Sequence, residues 1–442
     1  MDNNKLDLIE KSIKSKNVNE YEIFLIERNA YESILLKDKV DNERNVSNFE
    51  YILRILSQKE DKTGIGLVKG NSLDSKEIER SIDTCILLAK TNLSSGYYFP
   101  GKGTIPNISI SDAKIVQDPL GIKNDSTEEL LSEIKQQQEI QPTFGRFSVH
   151  IDEVFLRNSN NLDLSTLKTY FLIELSLKAQ ENGKLAEYWP YQYIKEKYQL
   201  NFPDRIKKWA KLAQDTLIAQ TPKSNNKATI IFSPQVLSNA INPVIGAHAS
   251  GKAFHQGLSR FKIDEIAASE NITIFDDGLM KSGFNTNGWD GEGSPHQRNE
   301  IIRKGIFQKR LYDQKYAILE NKEPTGNGVR TMSGGVENGV SNLEILPGDM
   351  NLEEIISQIN EGYYVEQFSW LRPSELSGNF GAEIRFGYYI KNGKFENPIR
   401  LGNISGNVFK MIRNCLYISK EREYFVNTLF PYMVFENLTV TS

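Results

Sequence analysis

The residues whose types and spacing suggest chemistry lie in two stretches of the second half of the chain. The first is Val244–Ser259 (VIGAHASGKAFHQGLS), which carries two histidines, and the second is the glycine-rich run Asp276–Arg330. Histidine ligates metals and titrates near neutral pH, so a metal site is the first hypothesis to test.

The first stretch has helical spacing and many small residues, which predicts a helix packed closely against a neighbour. His248 and His255 are seven residues apart, so they would share a face but lie about 10.5 Å apart along the axis. Zinc needs its ligand nitrogens about 2.0–2.1 Å away, and helical pairs that achieve this are usually four apart. The residue four after His248 is Lys252, a cation. The spacing therefore argues against a metal site on this helix.

The second stretch contains Asp290–His296 (DGEGSPH), which has two interpretations. Asp290 and Glu292 could act as paired carboxylates of a catalytic loop, with His296 nearby. The alternative is a tight turn that needs glycine for positive φ, and we favour it because carboxylates beside glycines are common in loops. Ser294 and His296 are too close in sequence to form a nucleophile–base pair readily.

Three further features are weaker. Pro324–Arg330 (PTGNGVR) resembles a phosphate cradle but lacks the Lys-Ser/Thr of a P-loop. His150 has no second ligand at useful spacing and is interpreted as an ordinary strand residue. The alternating aromatic residues of Tyr188–Tyr193 favour core packing over base stacking.

Composition limits the function classes. The chain has 442 residues, which favours two domains, and 53 basic against 57 acidic residues give a net charge of −4. This balance argues against bulk attraction to nucleic acid. We find no apolar run near the ~20 residues of a membrane helix and no apolar core near the N-terminus. Cys85 and Cys415 are far apart in sequence and are predicted to be core residues in a reducing cytoplasm.

In the first half, strand-like runs precede a helix. The predicted strands are Tyr21–Arg28, Glu32–Lys37, Phe49–Leu56, Gly64–Lys69 and three long strands over 148–158, 168–180 and 184–194. Asp74 is a predicted N-cap with Glu77 three residues later. Residues 93–125 are interpreted as an extended connection before a helix near Glu128–Gln138, and Pro203 opens another helix.

In the second half, a strand at Ala228–Phe232 precedes a helix interrupted at Pro243, and turn signals follow. Hairpins are predicted around Lys304-Gly305 and Asn392-Gly393. Helices are predicted after Asn351 and over Val408–Ile412. The fold class is therefore α+β: a sandwich-like N-terminal domain, 1–222, followed by a C-terminal antiparallel, barrel-like sheet curled around helices, 223–442.

The order of motifs in the second half resembles the TldD/PmbA family, peptidase-related proteins also called modulators of DNA gyrase. The matching segments are Gly246–Phe254, Phe275–Gly278, Asp290–Pro295, Ile301–Tyr312, Thr325–Arg330, Leu346–Asp349, Ser377–Phe380 and Tyr389–Lys394. The N-terminal strands and the helix Asp74–Lys90 resemble the family's first domain more loosely.

The resemblance implies a pair of related subunits. The TldD-like subunit carries HExxxH on the small-residue helix and a later cysteine, which bind zinc beside a glutamate that activates water. Alignment on Gly251 puts Ala247 at the first histidine, His248 at the glutamate and Lys252 at the last histidine. No cysteine follows Cys415. The sequence therefore resembles the non-catalytic subunit, named PmbA or TldE, with no metal of its own and zinc expected in the partner.

The resemblance also implies a function: pairing with a TldD-like paralogue to enclose a channel that admits unfolded peptides, such as precursor peptides, in extended form. Alone, the chain could form a homodimer. The residues proposed to face the channel or the partner are His248, Gly251, Lys252, Glu292, His296, Asn327 and Arg330. Two alternatives remain open: a metal-independent hydrolase using Asp290, Glu292 and His296, and a non-enzymatic binding or regulatory protein.

Overall fold

The structure is a computed structural model that describes residues 4–137 and 140–442. It is a mixed α+β protein with an antiparallel sheet in the N-terminal half and a closed barrel in the C-terminal half. The predicted fold class is confirmed.

The N-terminal half is built on long antiparallel strands. The strands that the structure describes here are β1 (Tyr21–Leu36), β2 (Lys39–Lys59), β3 (Lys62–Gly70), β4 (Leu93–Ser95), β5 (Ile140–Asn158), β6 (Asp163–Glu181), β7 (Lys184–Tyr188) and β8 (Tyr191–Ile194). The helices are α1 (Asn4–Ser15), α2 (Ser75–Thr91), α3 (Ala113–Gln117), α4 (Pro119–Lys135) and α5 (Phe202–Leu217). The strand order is β4-β3-β2-β1-β5-β6-β7, with β8 also paired to β6.

Helix α2 lies unusually close to the sheet because β3 presents glycine beneath it. A Cβ on Gly66 would lie 1.9 Å from the Cys85 carbonyl oxygen. The buried stripe Ile78, Ile82 and Cys85 therefore packs directly on the strands. Asp74 caps this helix by accepting hydrogen bonds from the backbone of the first turn, as predicted.

Several predicted boundaries were wrong. The two strands predicted over 21–37 form one continuous strand, β1, because β2 pairs with it from Tyr21 to Leu36. The connection predicted over 93–125 contains α3 and the start of α4, because Asp112 and Asp118 cap helices there. The predicted end of the next helix, Gln138, lies outside the described residues.

The C-terminal half contains the remaining elements. The described strands are β9 (Asn225–Phe232), β10 (Ile274–Asp277), β11 (Arg298–Arg303), β12 (Ile306–Phe307), β13 (Gly328–Arg330), β14 (Val336–Asn338), β15 (Leu343–Ile345), β16 (Glu361–Phe368), β17 (Asn379–Lys391), β18 (Lys394–Ile399), β19 (Asn403–Asn407), β20 (Cys415–Phe425) and β21 (Thr428–Thr441). The helices are α6 (Pro234–Ala249), α7 (Gly251–His255), α8 (Gln314–Leu319), α9 (Leu352–Ser357) and α10 (Val408–Arg413).

Five strands close a barrel in the order β21-β19-β17-β16-β9, and β9 pairs back onto β21. Helix α6 shares one core with these strands, and Val244 and Ile245 on it are fully buried. The sheet continues from β21 through β15, β10, β11 and β12. Strands β13 and β14 form a separate hairpin beside it.

The turn chemistry of this half was predicted correctly. Asn392 and Gly393 both have positive φ between β17 and β18, and Lys304-Gly305 joins β11 to β12. Asn351 forms a capping box with Glu354 at the start of α9. Helix α6 runs through Pro243 without the predicted interruption.

The predicted boundary between domains falls in the segment that joins α5 to β9. The two halves also share packing, because Phe386 of β17 belongs to the buried cluster of α5, β5 and β6. The domain limits at 222/223 stay a prediction. In the part of the chain that the structure describes, no helix combines the length and apolar character needed to cross a bilayer.

Candidate functional site

The helix predicted over Val244–Ser259 is broken at Ser250, so that prediction was wrong in its continuity. Ser250 is extended, with ψ 144°, and it ends α6 and caps α7. Its hydroxyl accepts a hydrogen bond from the Ala253 backbone (3.1 Å) and donates to the Ala247 carbonyl (2.6 Å). His248 and Lys252 consequently lie on different helices, and helical spacing no longer relates them.

His248 is fully buried and serves packing. Its Nδ1 accepts from the Arg260 backbone N–H at 2.9 Å, and its Nε2 donates to the carbonyls of Glu375 and Leu376 at 3.1 and 3.2 Å. The Phe409 ring meets it edge-on at 4.8 Å. Burial lowers the pKa of His248, which fits a neutral imidazole with both nitrogens in use.

Gly251 and Lys252 lie at the start of α7. The Gly251 N–H donates to the Leu311 carbonyl at 2.7 Å, and a Cβ there would lie 2.4 Å from Cδ1 of Tyr312. The tight contact at this glycine is therefore made within the chain. The Lys252 side chain is 41% exposed and its Nζ is 3.9 Å from Glu337.

The residues at the three aligned motif positions do not fit a zinc site. Ala247 has no donor atom, Lys252 is a cation, and both His248 nitrogens are engaged. Across residues 4–137 and 140–442 there is no group of three or more His, Cys, Asp or Glu side chains arranged to hold a metal ion. Cys85 and Cys415 are both free and buried.

Asp290 organises the loop between β10 and β11. Its Oδ1 accepts from the backbone N–H groups of Glu292 (2.9 Å) and Ser294 (3.0 Å), and its Oδ2 accepts from that of Gly328 (2.8 Å). Burial and the neighbouring Glu292 raise the pKa of Asp290 to about 7. These three hydrogen bonds are typical of a turn in which one carboxylate accepts from several backbone N–H groups.

Glu292 points toward the N-terminal half. Its Oε1 accepts from Tyr97 (2.6 Å) and Arg54 (3.4 Å), and its Oε2 accepts from the Gln314 backbone (2.9 Å). Arg54 also forms a bidentate pair with Glu22, at 2.8 and 2.6 Å. All of these charged side chains are almost completely buried.

Arg330 of β13 completes this buried cluster from the C-terminal side. It donates to Glu22 and, at 2.7 Å, to the Gly291 carbonyl. Burial alone would raise the pKa of Glu22, but Arg330 and Arg54 hold it below its usual value. Two guanidinium groups and two carboxylates, from both halves, thus balance each other; we call Glu22, Arg54, Glu292 and Arg330 the buried charge cluster.

His296 and Asn327 are also buried. His296 Nδ1 donates to the Asn287 carbonyl at 3.0 Å, and burial lowers the pKa of its imidazole to about 4. Asn327 donates to Asp276 at 2.7 Å and to the Gly339 carbonyl at 3.0 Å. Both side chains fix loop conformation.

A cavity of about 250 Å³ lies between the N-terminal sheet and these loops. Of the predicted site residues, Asp290, His296 and Arg330 line it, whereas Glu292, Asn327, His248, Gly251 and Lys252 do not. The cavity adjoins the small-residue helix through Val340, which lines it and would lie 3.2 Å from a Cβ on Gly246.

Sequence reasoning missed the N-terminal side of this cavity. Its wall includes Phe24 and Ile26 of β1, Asp152 of β5 and Lys168 of β6, together with Trp289. The available signal was a charged residue on the same strand face as another residue of the cavity wall: Asp152 lies two residues from Val154, and Lys168 lies two residues from Thr166.

The family model for the PmbA/TldA metallopeptidase C-terminal domain matches residues 225–442. The chain belongs to the PmbA/TldD family. The family predicted from the sequence motifs is confirmed, and the match covers the barrel, the α6–α7 segment and the loops of the cavity.

Several curated proteins that are similar to this chain carry metalloprotease names. A TldD homologue of Buchnera aphidicola is 30% identical over 49% of this chain and 46% of its own length. A metalloprotease of Methanocaldococcus jannaschii is 24% identical over 94% of this chain and 93% of its own length. The chain spans about half the length of the Buchnera relative.

Solved structures share the fold over the whole chain. TldE from Thermococcus kodakarensis superimposes with a TM-score of 0.85 at 21% identity, covering 99% of each chain. A Thermotoga maritima protein described as a modulator of a DNA gyrase also gives 0.85, at 18% identity and the same coverage.

Proposed function

We propose that this chain is the non-catalytic subunit of a heterodimeric TldD/TldE-type metalloprotease that degrades or processes unfolded peptides. In this proposal a zinc-binding TldD-like paralogue supplies the metal and the activated water, and the chain described here helps to enclose the peptide. The complex works in the cytoplasm.

The observation that carries the proposal is the donor set at the aligned motif positions. Alanine, a histidine whose nitrogens are both bonded to backbone, and a half-exposed lysine cannot replace two histidines and a glutamate. The Thermococcus protein that shares the fold is itself named TldE, which supports the same assignment.

The geometry gives less support to a self-standing hydrolase. Both Asp290 oxygens hold backbone N–H groups, and Glu292 is turned toward Arg54 and Tyr97. His296 donates to the Asn287 carbonyl, so its bonded nitrogen is not oriented toward a nucleophile. These three residues thus lack the mutual hydrogen bonds of an acid–base–nucleophile arrangement.

The experiment is co-expression with the TldD-like paralogue from the same organism, compared with each chain alone. We measure zinc by mass spectrometry, assembly by light scattering, and hydrolysis of casein and unstructured peptides. We expect zinc and chelator-sensitive cleavage in the complex, with neither in this chain alone. Stoichiometric zinc or cleavage by the pure chain would contradict the proposal, as would failure of the two chains to associate.

A charge reversal tests which surface faces the partner. Lys252 has the most exposed side chain among the predicted site residues, so Lys252→Glu should weaken co-purification with the paralogue at least fivefold. Lys262→Glu is the matched control, because Lys262 is 74% exposed and lies beyond α7. Equal recovery of partner with both variants would remove Lys252 from the interface.

A further inference from the structure

Asp152 and Lys168 face each other across β5 and β6 on the wall of the cavity. Asp152 is 9% exposed, and its Oδ1 is buried without a hydrogen-bond partner. Its Oδ2 accepts from the Tyr170 hydroxyl at 3.4 Å, a long contact. A buried carboxylate oxygen without a donor is costly, so it marks a position where a ligand donor would be stabilised.

Each of the charged groups around Asp152 donates a hydrogen bond to a group other than Asp152. Arg28 donates to Glu50 at 3.2 Å, and Lys195 donates to the carbonyls of Ile110 (3.0 Å) and Thr169 (2.8 Å). Lys168 donates to the Phe284 carbonyl, and its ammonium lies 3.8 Å from the Phe284 ring centre. Burial lowers the pKa of Lys168 to about 8, so it is mostly charged at pH 7 and keeps further donor capacity.

Part of the wall is apolar, although Thr166, Asp290 and Arg330 also line the cavity. Phe24, Ile26, Val154 and Trp289 line the cavity together with Ile110. An apolar patch beside the acceptor Asp152 and the donor Lys168 suits a side chain whose stem is hydrocarbon and whose tip is polar.

The charges of Asp152 and Lys168 determine which polar group fits at the end of the ligand side chain. A cationic tip would meet Asp152 but would be repelled by Lys168, and a carboxylate would be repelled by Asp152. A neutral carboxamide carries an N–H donor and a carbonyl acceptor side by side, and it satisfies both residues without a net charge. Because Asp152 is nine-tenths buried, the end of a side chain reaches it more easily than a main-chain amide, which has residues on both sides.

We propose that this cavity binds the carboxamide side chain of a glutamine or asparagine in an unfolded peptide, with its N–H donating to Asp152 Oδ1 and its carbonyl accepting from Lys168 Nζ. The inference rests on the proposed function, because it takes an unfolded peptide as the ligand. It adds a preference for one class of side chain to the otherwise sequence-tolerant binding of an extended chain.

The test measures binding of short peptides to the pure chain by calorimetry and by tryptophan fluorescence, with Trp289→Phe to identify the signal from the cavity. The probes are acetyl-Ala-Ala-Xaa-Ala-Ala N-methylamides with Xaa as Gln, Glu, Lys or Met, so that no terminal charge or primary amide competes. We expect the Gln peptide to bind at least tenfold more tightly than the other three, as expected for one charge-assisted hydrogen bond.

Variants locate the site. Asp152→Leu and Lys168→Met should each abolish the preference for Gln, and Asp152→Asn, which keeps an acceptor oxygen, should retain part of it. Asp41→Leu is the control, because Asp41 is exposed on β2 away from the cavity. Circular dichroism confirms folding; if Asp152→Leu does not fold, Lys168→Met and Asp152→Asn still decide.

Equal binding of the Met peptide, tighter binding of the Lys peptide, or no binding of the Gln peptide to folded protein would overturn the inference. Such a result beside normal pairing and cleavage with the paralogue would leave the proposed function intact. Gln-selective binding by a chain that does not pair with the paralogue would support the inference and contradict the proposed function.

Discussion

His248 and His296 show how a residue type that is common in metal and catalytic sites can be used for packing. Both rings are buried, both donate to main-chain carbonyls, and burial lowers the pKa of each. A neutral buried imidazole stabilises a loop only while it stays unprotonated, so these residues tie stability to pH.

The His296 contribution can be isolated. The folded pKa is about 4 and the ordinary value is 6.5, so the unfolded chain binds the proton first as the pH falls. The stabilisation is complete above pH 6.5 and decreases toward pH 4. From pH 7 to pH 5, the free energy of unfolding of the native protein should fall by about 2 kcal/mol more than that of His296→Gln.

Urea unfolding at both pH values measures this difference. Between pH 7 and pH 8 the two proteins should change in parallel, which serves as the internal control. An equal loss of stability between pH 7 and pH 5 would mean that His296 titrates normally in the folded protein.

At the scale of the element, Ser250 determines how the segment with the family's motif is divided into the helices α6 and α7. Its extended backbone turns α7 away from the axis of α6, and its hydroxyl bonds to both helices. Gly251 then lets α7 approach Tyr312. The neighbouring small residues Ser250 and Gly251 therefore determine the relative positions of residues 247, 248 and 252.

Two glycine-to-alanine changes separate close contact from helix propensity. Gly251→Ala should lower the free energy of unfolding by about 1–3 kcal/mol, because the new Cβ would lie 2.4 Å from the Tyr312 ring. Gly246→Ala, whose Cβ would be 3.2 Å from Val340, should stay within about 1 kcal/mol of the native protein, since alanine favours the helix. Similar urea midpoints for the two variants would contradict this assignment.

The local elements were largely predictable because their signals are local. Asp74, Asn351 and Asn392-Gly393 act on backbone groups a few residues away, and the structure uses each as predicted. The break at Ser250 was missed, because serine is tolerated within helices and only its contacts to both helices select the extended state. Asp152 and Lys168 were missed because their cavity forms only when the two halves pack together.

At the scale of the whole molecule, the buried charge cluster joins the halves. Glu22 and Arg54 come from the N-terminal strands, Glu292 comes from the loop between β10 and β11, and Arg330 comes from β13. Such ions are stabilised only when all partners are present, because any partner left alone is buried without compensation. The cluster therefore favours one relative position of the halves, the position that also shapes the cavity.

Removing one residue of the buried charge cluster should strongly lower the free energy of unfolding. Arg54→Met leaves Glu292 with Tyr97 as its side-chain donor and should lower the free energy of unfolding by about 3–5 kcal/mol. Arg28→Met is the matched control on the neighbouring strand. Arg28 is 42% exposed and pairs with Glu50 at 3.2 Å, so its loss should cost less than about 1 kcal/mol. Urea unfolding compares the two, and equal small losses would show that the cluster is not a determinant of stability.

The closure of the barrel by β9 and β21 bears on the order in which the protein is made. Met433 pairs with Phe232 and Val434 with Ile231, so the first strand of the C-terminal half waits for a segment synthesised about 200 residues later. Until β21 arrives, β9 and β19 each present an unpaired edge, the kind of surface that promotes aggregation. Folding is therefore expected to be most vulnerable during translation, and shortening the chain within Thr428–Thr441 should lower the yield of folded protein and increase aggregation.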